Sequence, residues 1–215
     1  MDNFTLLIGN KNYSSWSLRP WILMKYFKIP FKEKVFALFQ PGTKEAILKY
    51  SPAGKVPVLL HGKVVVWESI AIAEYLADLF PKKNLWPKDL EKRAHARSIS
   101  AEMHAGFLAL RKACPMNVRA LNKPMKETTP DVDKDLARIT AIWEDCRTKY
   151  KKDGAFLFGE FSVADCMYAP VVYRIRSYNL PVSGLAKEYY EMMYDLPEMK
   201  EWEEAGVKET FPAIH

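Results

Sequence analysis

Apolar and polar residues change their rhythm after roughly the first eighty positions of this chain. Residues 4–8 (Phe4, Thr5, Leu6, Leu7, Ile8) are a compact apolar run, which predicts a buried strand. Residues 18–27 place Leu18, Trp21, Ile22, Leu23 and Tyr26 at helical spacing. Residues 34–39 read as a second strand and 43–50 as a short helix. Residues 57–60 and 63–67 flank His61-Gly62, where glycine can supply a positive φ, and so predict a hairpin. Residues 70–79 form an amphipathic helix. The order βαβαββα predicts an α/β layer with a mixed sheet.

Residues 80–89 carry prolines and lysines without periodicity and read as a linker. Beyond them the pattern is helical throughout. Long helices are expected at 90–112 and 131–150, with a polar loop at 117–130 between them. A third is expected at 163–177 and shorter ones at 184–194 and 198–208. The expected organisation is an α/β domain over residues 1–80, a linker over 81–89 and an all-helical domain over 90–215. The sequence contains no internal repeat.

Composition narrows the functional classes. With 215 residues, 49% of them hydrophobic, there is enough apolar material for one large domain or two small ones. No apolar stretch is long enough to cross a bilayer, and the start lacks a basic, then apolar, leader, so a cytoplasmic protein is expected. The net charge of +6 comes from scattered lysines, which argues for a solvated surface rather than a nucleic-acid stripe. Cys114, Cys146 and Cys166 have neither zinc nor disulfide spacing and read as buried or idle thiols. No metal site is expected; His104 has no partner at ligand spacing.

The candidate chemistry sits in three short segments. Ser51-Pro52-Ala53-Gly54-Lys55-Val56-Pro57 ends in a proline at a strand start, where its missing N–H costs no ladder bond. A cis Val56-Pro57 bond would turn the Val56 N–H and C=O outward, able to add an extended ligand backbone to the sheet edge. Glu68-Ser69 follows a strand and opens a helix, with Ser69 as the expected N-cap. Free amides and the helix dipole there favour a ligand carboxylate; Glu68 would repel it unless the same ligand carries an ammonium. The pair suits an α-amino acid end.

Ser14, Ser15 and Ser17 precede the first helix; with Ser17 as N-cap, Pro20 falls at the third helical position. A thiolate held at that N-terminus would gain from the dipole and from a hydroxyl, both of which lower a thiol pKa. No histidine or aspartate is close in sequence, so the hydroxyl reads as a donor, not a nucleophile. Ser162-Val163-Ala164-Asp165 has capping-box spacing, a structural role, with Phe161 and Cys166 at staple positions.

Taken together, these motifs resemble the cytosolic glutathione transferases over nearly the whole chain. Residues 51–57 resemble the family's cis-proline loop, Glu68-Ser69-Ile70-Ala71-Ile72 its glutamyl-binding turn, and Ser162 to Asp165 the capping box of its helical domain. The resemblance implies a thioredoxin-like N-terminal domain, an all-α C-terminal domain, glutathione as co-substrate, a small electrophile as second substrate and a homodimer. It implies that Val56, with Pro57, holds the cysteinyl backbone, that Glu68 takes the γ-glutamyl amino group and Ser69 its carboxylate, and that Lys55 reaches the ligand. Ser14-Ser15-Trp16-Ser17-Leu18-Arg19 resembles the zeta-class start, which points to Ser14 as the thiol activator. Counting back from Arg19, as in the theta and delta classes, points to Ser15, and Tyr13 is a third rival. Trp16 replaces the zeta cysteine, which argues against zeta isomerase activity and against a mixed-disulfide reductase. By spacing, the zeta substrate-binding arginine becomes Ser177, with Arg174 and Arg176 nearby. Met103, His104, Phe107 and Arg111 are the expected second-substrate residues, joined by Met116, Tyr168 and Tyr173. The leading reading is conjugation of glutathione to a hydrophobic electrophile. The alternatives are a glutathione-dependent cis-trans isomerase and a non-enzymatic interaction module of the same fold.

Overall fold

The computed structural model describes residues 3–125 and 129–211. Strand β1 (Phe4–Gly9) lies at the centre of a four-stranded sheet with β2 (Phe31–Phe36), β3 (Val58–His61) and β4 (Val64–Trp67), in the order β2-β1-β3-β4. β1 pairs in parallel with β2 (Leu6↔Glu33) and antiparallel with β3 (Leu6↔Leu59); β3 and β4 form the hairpin. Helix α1 (Ser15–Tyr26) and α2 (Thr43–Leu48) occupy the two crossovers, and α3 (Ser69–Leu79) follows the hairpin. The expected mixed βαβαββα sheet is present, and the α-helices of the described residues beyond it are α4 (Leu90–Ala105), α5 (Leu108–Ala113), α6 (Pro130–Tyr150), α7 (Val163–Tyr178), α8 (Gly184–Tyr194) and α9 (Pro197–Lys208). Of the loop expected at 117–130, residues 126–128 lie outside the described residues.

Side chains alternate across the sheet as a pleat requires. Phe4, Leu6, Ile8 and Leu59 enter the large core with α1, α3 and the helical layer, whereas Leu7 and Val58 face the other way onto Phe36 and Ile47, beneath α2. Helix α1 packs on β1, α3, α7 and α9 at once, so all of its residues from Ser17 to Met24 are buried. The Trp21 ring meets Trp202 of α9 edge-on at 5.1 Å, and Tyr26 stacks on Phe161 at 3.9 Å.

Four local expectations require correction. The second strand begins at Phe31, not at residue 34, and ends at Phe36. It is an edge strand whose Lys32, Glu33 and Lys34 are exposed, so pairing with β1 rather than apolar patterning defines it. The hairpin register His61↔Val64 moves the turn to Gly62-Lys63, with Gly62 at φ +60°. Helix α1 starts at Ser15 with Ser14 as N-cap, which places Pro20 in its interior, because the Ser17 hydroxyl is engaged by the Gly9 N–H (3.1 Å) and by Ser14 (2.7 Å). The single helix expected at 90–112 is broken at Gly106-Phe107, where Phe107 is left-handed (φ 61°). Arg111 folds back over the break and donates to the Gly106 carbonyl (Nε, 2.9 Å) and to the Met103 carbonyl, so it caps the orphan carbonyls of α4.

The capping box of α7 forms as its spacing predicts. The wholly buried Asp165 carboxyl accepts from the Ser162 N–H (2.9 Å), the Ser162 hydroxyl (3.1 Å), the Leu157 N–H (3.1 Å) and the Tyr189 hydroxyl (3.0 Å). Burial pushes this carboxyl up to about 6, against those four hydrogen bonds, which pull it down. An unfolded aspartate titrates near ~3.9. Because the folded value is the higher one, this group's contribution to stability is complete below about pH 4 and declines as pH rises through about 6. Asp165→Asn, which cannot titrate and loses an acceptor, should melt below wild type by several degrees. That deficit should narrow between pH 4.5 and 6.5, as read from melting temperatures across this range; a constant deficit would contradict the shift.

Candidate functional site

The loop after β1, the start of α1, the loop after β2, and the segment before β3 enclose a cleft of about 820 Å³. Its lining includes Tyr13, Ser14, Ser15, Trp16, Lys55 and Val56, closed from the helical side by Arg111, Met116 and Arg174. A smaller cavity of about 160 Å³ adjoins it, shares Trp16, Ala53, Lys55 and Val56, and ends at Trp67 and Glu68. The volumes suit a small-molecule ligand. Of the residues expected to hold one, Val56, Pro57 and Glu68 therefore converge on one surface, with the exposed Lys55 beside them.

The Val56-Pro57 bond is cis. Helix α3 begins one residue earlier than expected, with Glu68 as N-cap and Ser69 as its first residue. Glu68 has φ 68° and ψ 126°, a region that non-glycine residues rarely enter and that is found where surrounding structure enforces it. The buried Ser69 Oγ has no hydrogen-bond partner among the described residues. A carboxylate set at the α3 N-terminus would give that hydroxyl its acceptor and meet the free amides of the first turn. Glu68 lies exposed beside it, with one oxygen 3.5 Å from His104 Nε2. Burial, and then Arg19, push His104 below its ordinary value, so the imidazole is neutral near pH 7 and leaves the Glu68 charge for a ligand ammonium.

The two serines face different partners. Ser14 Oγ is 2.7 Å from Ser17 Oγ, turned toward the end of β1. Ser15 Oγ accepts from Arg174 Nη2 at 3.3 Å, so its own proton is free for an acceptor in the cleft. Tyr13 lines the same cleft.

The residues expected to contact a second substrate separate. Arg111 and Met116 line the cleft, and His104 faces Glu68 and the edge of Trp16 (5.2 Å). Met103 and Phe107 are buried in the core behind it. Tyr168 and Tyr173 lie wholly in the core, with hydroxyls on the carbonyls of Ile99 (3.1 Å) and Met199. Ser177 donates to the Asn117 carbonyl (2.7 Å) and Arg176 pairs with Glu203 (2.9 Å), so Arg174 is the α7 arginine that reaches the cleft. The sequence reading missed that Arg19, Arg111 and Arg174 gather at one place. The available signal was an arginine set among apolar residues of a helix, at Leu18-Arg19-Pro20-Trp21 and again at Val172-Tyr173-Arg174-Ile175. All three cysteines are buried. Among the described residues, His95, Asp145 and Cys146 form the one cluster with metal-ligand atoms in mutual reach, remote in sequence from the cleft residues, and none of the described helices is long and apolar enough to cross a membrane.

Comparison with known proteins agrees with this architecture. The family profile "Glutathione S-transferase, N-terminal domain" matches residues 13–79. A protein of Caenorhabditis elegans named probable maleylacetoacetate isomerase is 30% identical over 188 residues, spanning 85% of each chain. Glutathione S-transferase 1 of Dianthus caryophyllus is 40% identical over 82 residues, 38% of this chain and 37% of that one. Among solved structures, a glutathione transferase homolog from Burkholderia GL BGR1 with bound glutathione superposes with a TM-score of 0.73 at 20% identity, covering 96% of this chain and all of the other. A theta class enzyme of Xanthomonas axonopodis pv. citri gives 0.69 at 18% identity over 99% of this chain. With the cis-proline loop, the Glu68-Ser69 turn and the α7 capping box in place, the chain belongs to the glutathione S-transferase superfamily.

Proposed function

We propose that this protein is a glutathione transferase of the serine type, organised as a glutathione-binding domain over residues 1–80, a linker over 81–89 and a helical domain over 90–215. The observation that carries the reading is the unpartnered Ser69 hydroxyl at the N-terminus of α3 next to Glu68, which shares one cavity with the cis Val56-Pro57 edge, while the adjoining cleft is lined by Val56 and Ser15. Glu68 takes the γ-glutamyl ammonium and Ser69 its carboxylate. The Val56 backbone pairs with the cysteinyl unit, and Lys55 adds a cation at the rim. Bound in this way, the tripeptide lies extended, with its sulfur toward the start of α1.

Ser15 is the better donor to that sulfur. Its oxygen accepts from the Arg174 cation, which polarises the hydroxyl, while Ser14 is engaged with Ser17. A hydroxyl donor, a nearby guanidinium and the α1 N-terminus all favour thiolate over thiol and lower its pKa. Ser14 then supports the turn that orients Ser15. Holding nucleophile and electrophile together in one cleft supplies the remaining advantage, because the encounter becomes intramolecular.

A second reading, a glutathione-dependent cis-trans isomerase, is supported by the relative of C. elegans and by a 26% identical protein of Drosophila melanogaster, also named a probable maleylacetoacetate isomerase. Trp16, where zeta enzymes carry cysteine, weighs against it. A homodimer would cover the edge strand β4, whose Val65 and Trp67 are exposed. These features, with the absence of a membrane-crossing helix among the described residues, fit a cytoplasmic enzyme.

Glutathione titrated calorimetrically should bind wild type, with its thiol pKa lowered by one unit or more on the thiolate ultraviolet band. Ser15→Ala should return that pKa toward the free value and lower kcat about tenfold or more, while Ser14→Ala keeps most of the shift. The opposite ranking would move the role to Ser14, and the loss of both effects would move it to Tyr13. Glu68→Gln should weaken glutathione binding about tenfold, a cost of ~1.4 kcal/mol, by removing the charge that meets the ammonium. Undiminished affinity would show that the tripeptide lies elsewhere.

A further inference from the structure

Residues 10–13 carry the chain from β1 to α1, and much of what holds them comes from the second half of the chain. The Asn10 carbonyl closes the turn by accepting from the Tyr13 N–H (3.1 Å) and the Ser14 N–H (2.8 Å). The two residues between are held from outside. The Glu209 carboxylate accepts from two consecutive backbone groups, the Lys11 N–H (Oε1, 2.5 Å) and the Asn12 N–H (Oε2, 3.1 Å). The Lys11 carbonyl accepts from Trp202 Nε1 (2.8 Å), and the Asn12 carbonyl from the Val118 N–H (3.2 Å). Lys11 is 9% and Asn12 1% exposed, so water is no ready substitute for these partners. The Lys11 ammonium pairs elsewhere, with Glu33 at 2.7 Å, so the Glu209 carboxylate meets the loop through its backbone.

Glu209 is itself held for this contact. It follows α9 directly, with extended backbone (φ −60°, ψ 138°). Arg119 lies across the end of α9 and donates from Nε to the Gly206 carbonyl (3.0 Å) and from Nη2 to the Glu209 carbonyl, which satisfies carbonyls that a helix end leaves open. The Arg119 N–H donates to Asn12 Oδ1 (3.2 Å), so the same residue touches both sides of the junction. Helix α9 reaches the loop at Gly206, where a Cβ would lie 3.1 Å from the Asn12 nitrogen and 3.2 Å from the Lys11 carbonyl carbon. So close an approach of helix to backbone calls for the residue without a side chain. Trp202, Gly206 and Glu209 stand at i, i+4 and i+7, the spacing of one helical stripe.

Tyr13, Ser14 and Ser15 line the cleft, whereas Lys11, Asn12 and Glu209 stand behind them, outside its lining. We propose that Glu209 is a positioning residue for thiol activation: by clamping the Lys11 and Asn12 amides from behind, it holds the Ser15 hydroxyl at the place where the glutathione sulfur arrives. The inference rests on the transferase reading, which assigns that hydroxyl to the thiolate. A hydroxyl–thiolate hydrogen bond weakens steeply with distance and angle, so a small shift of the loop is enough to lose it. The helical layer thus acts on the thiol from the side away from the ligand, through the start of α1.

The sign of one measurement separates this role from its rivals. If Glu209 acted through space, its removal would take away a negative charge and lower the pKa of the bound thiol further. If it only stabilised the fold, the melting temperature would fall and that pKa would stay. As a positioning residue, its loss lets Ser15 move off the sulfur and raises the pKa. In Glu209→Ala the thiolate ultraviolet band of bound glutathione should titrate about half a unit or more higher, and kcat at acidic pH should fall about threefold or more. Calorimetric affinity for glutathione should change less than about twofold, because Glu68, Ser69 and Val56 hold the tripeptide from the sheet side. Glu209→Gln keeps the length and one acceptor oxygen but turns an NH2 toward the second amide, so it should give an intermediate rise and serves if Glu209→Ala fails to fold. In a Ser15→Ala background Glu209→Ala should add nothing, since both act through one hydroxyl. A pKa unchanged or lowered in the folded variants, or an undiminished further rise without Ser15, would overturn the proposal and leave the transferase reading intact. Wild type that binds no glutathione would sink the transferase reading, and this role of Glu209 with it.

Discussion

Helix α1 is the element on which everything else depends, because it belongs to two packed layers at once. One side lies on β1 and α3, the other on α7 and α9. A helix buried all round cannot shift without disturbing both layers, since interiors pack at crystal-like density. This constraint fixes where α1 begins, and its beginning is the chemical end. Ser14 and Ser15 stand at the mouth of the cleft because Ser17, one turn in, is anchored by the Gly9 N–H at the end of β1. Contacts at the far side hold the same helix in register: Trp21 against Trp202, Lys11 between those two rings, and Trp21 Nε1 on Glu33 at 2.6 Å.

The charge distribution around the cleft follows from that junction. The acidic pole is Glu68 on the sheet side, and the basic pole is Arg111 and Arg174 on the helical side. Trp16 lies between them, with His104 at its edge and two guanidiniums near its ring. A neutral His104 beside Glu68 leaves that carboxylate's charge uncompensated at the acidic end. Arg111 has two roles here. It caps the carbonyls that the break at Gly106-Phe107 leaves open, and it presents its cation to the cleft. The helix break is thus part of the site's architecture.

The capping box shows a different economy. Asp165 is buried in the first turn of α7 and carries four hydrogen bonds that tie α7 to Leu157 and to α8. Helix α7 in turn carries Arg174. Stability at one end of the helix therefore sets the position of a cation at the other.

Much of this was legible in the residue order. The βαβαββα pattern, the switch to helices, the cis-proline loop, the Glu68-Ser69 turn and the α7 capping box each depend on neighbours within a few residues, and local steric and hydrogen-bonding preferences act over that range. Charged edge strand β2 was misplaced because its definition comes from pairing with β1, a partner distant in sequence. The break at Gly106-Phe107 escaped because Arg111 stabilises it by a tertiary fold-back that helical periodicity does not encode. The assembly of Arg19, Arg111 and Arg174 was likewise invisible: each sits on a separate helix, and the packing of α1 on α7 together with the fold-back of Arg111 from α5 brings the three together. The sequence by itself determined which elements form and which short motifs they carry; the tertiary structure alone decided which side chains share a cavity, because burial, charge proximity and unsatisfied hydrogen bonds are properties of distances through space, not along the chain.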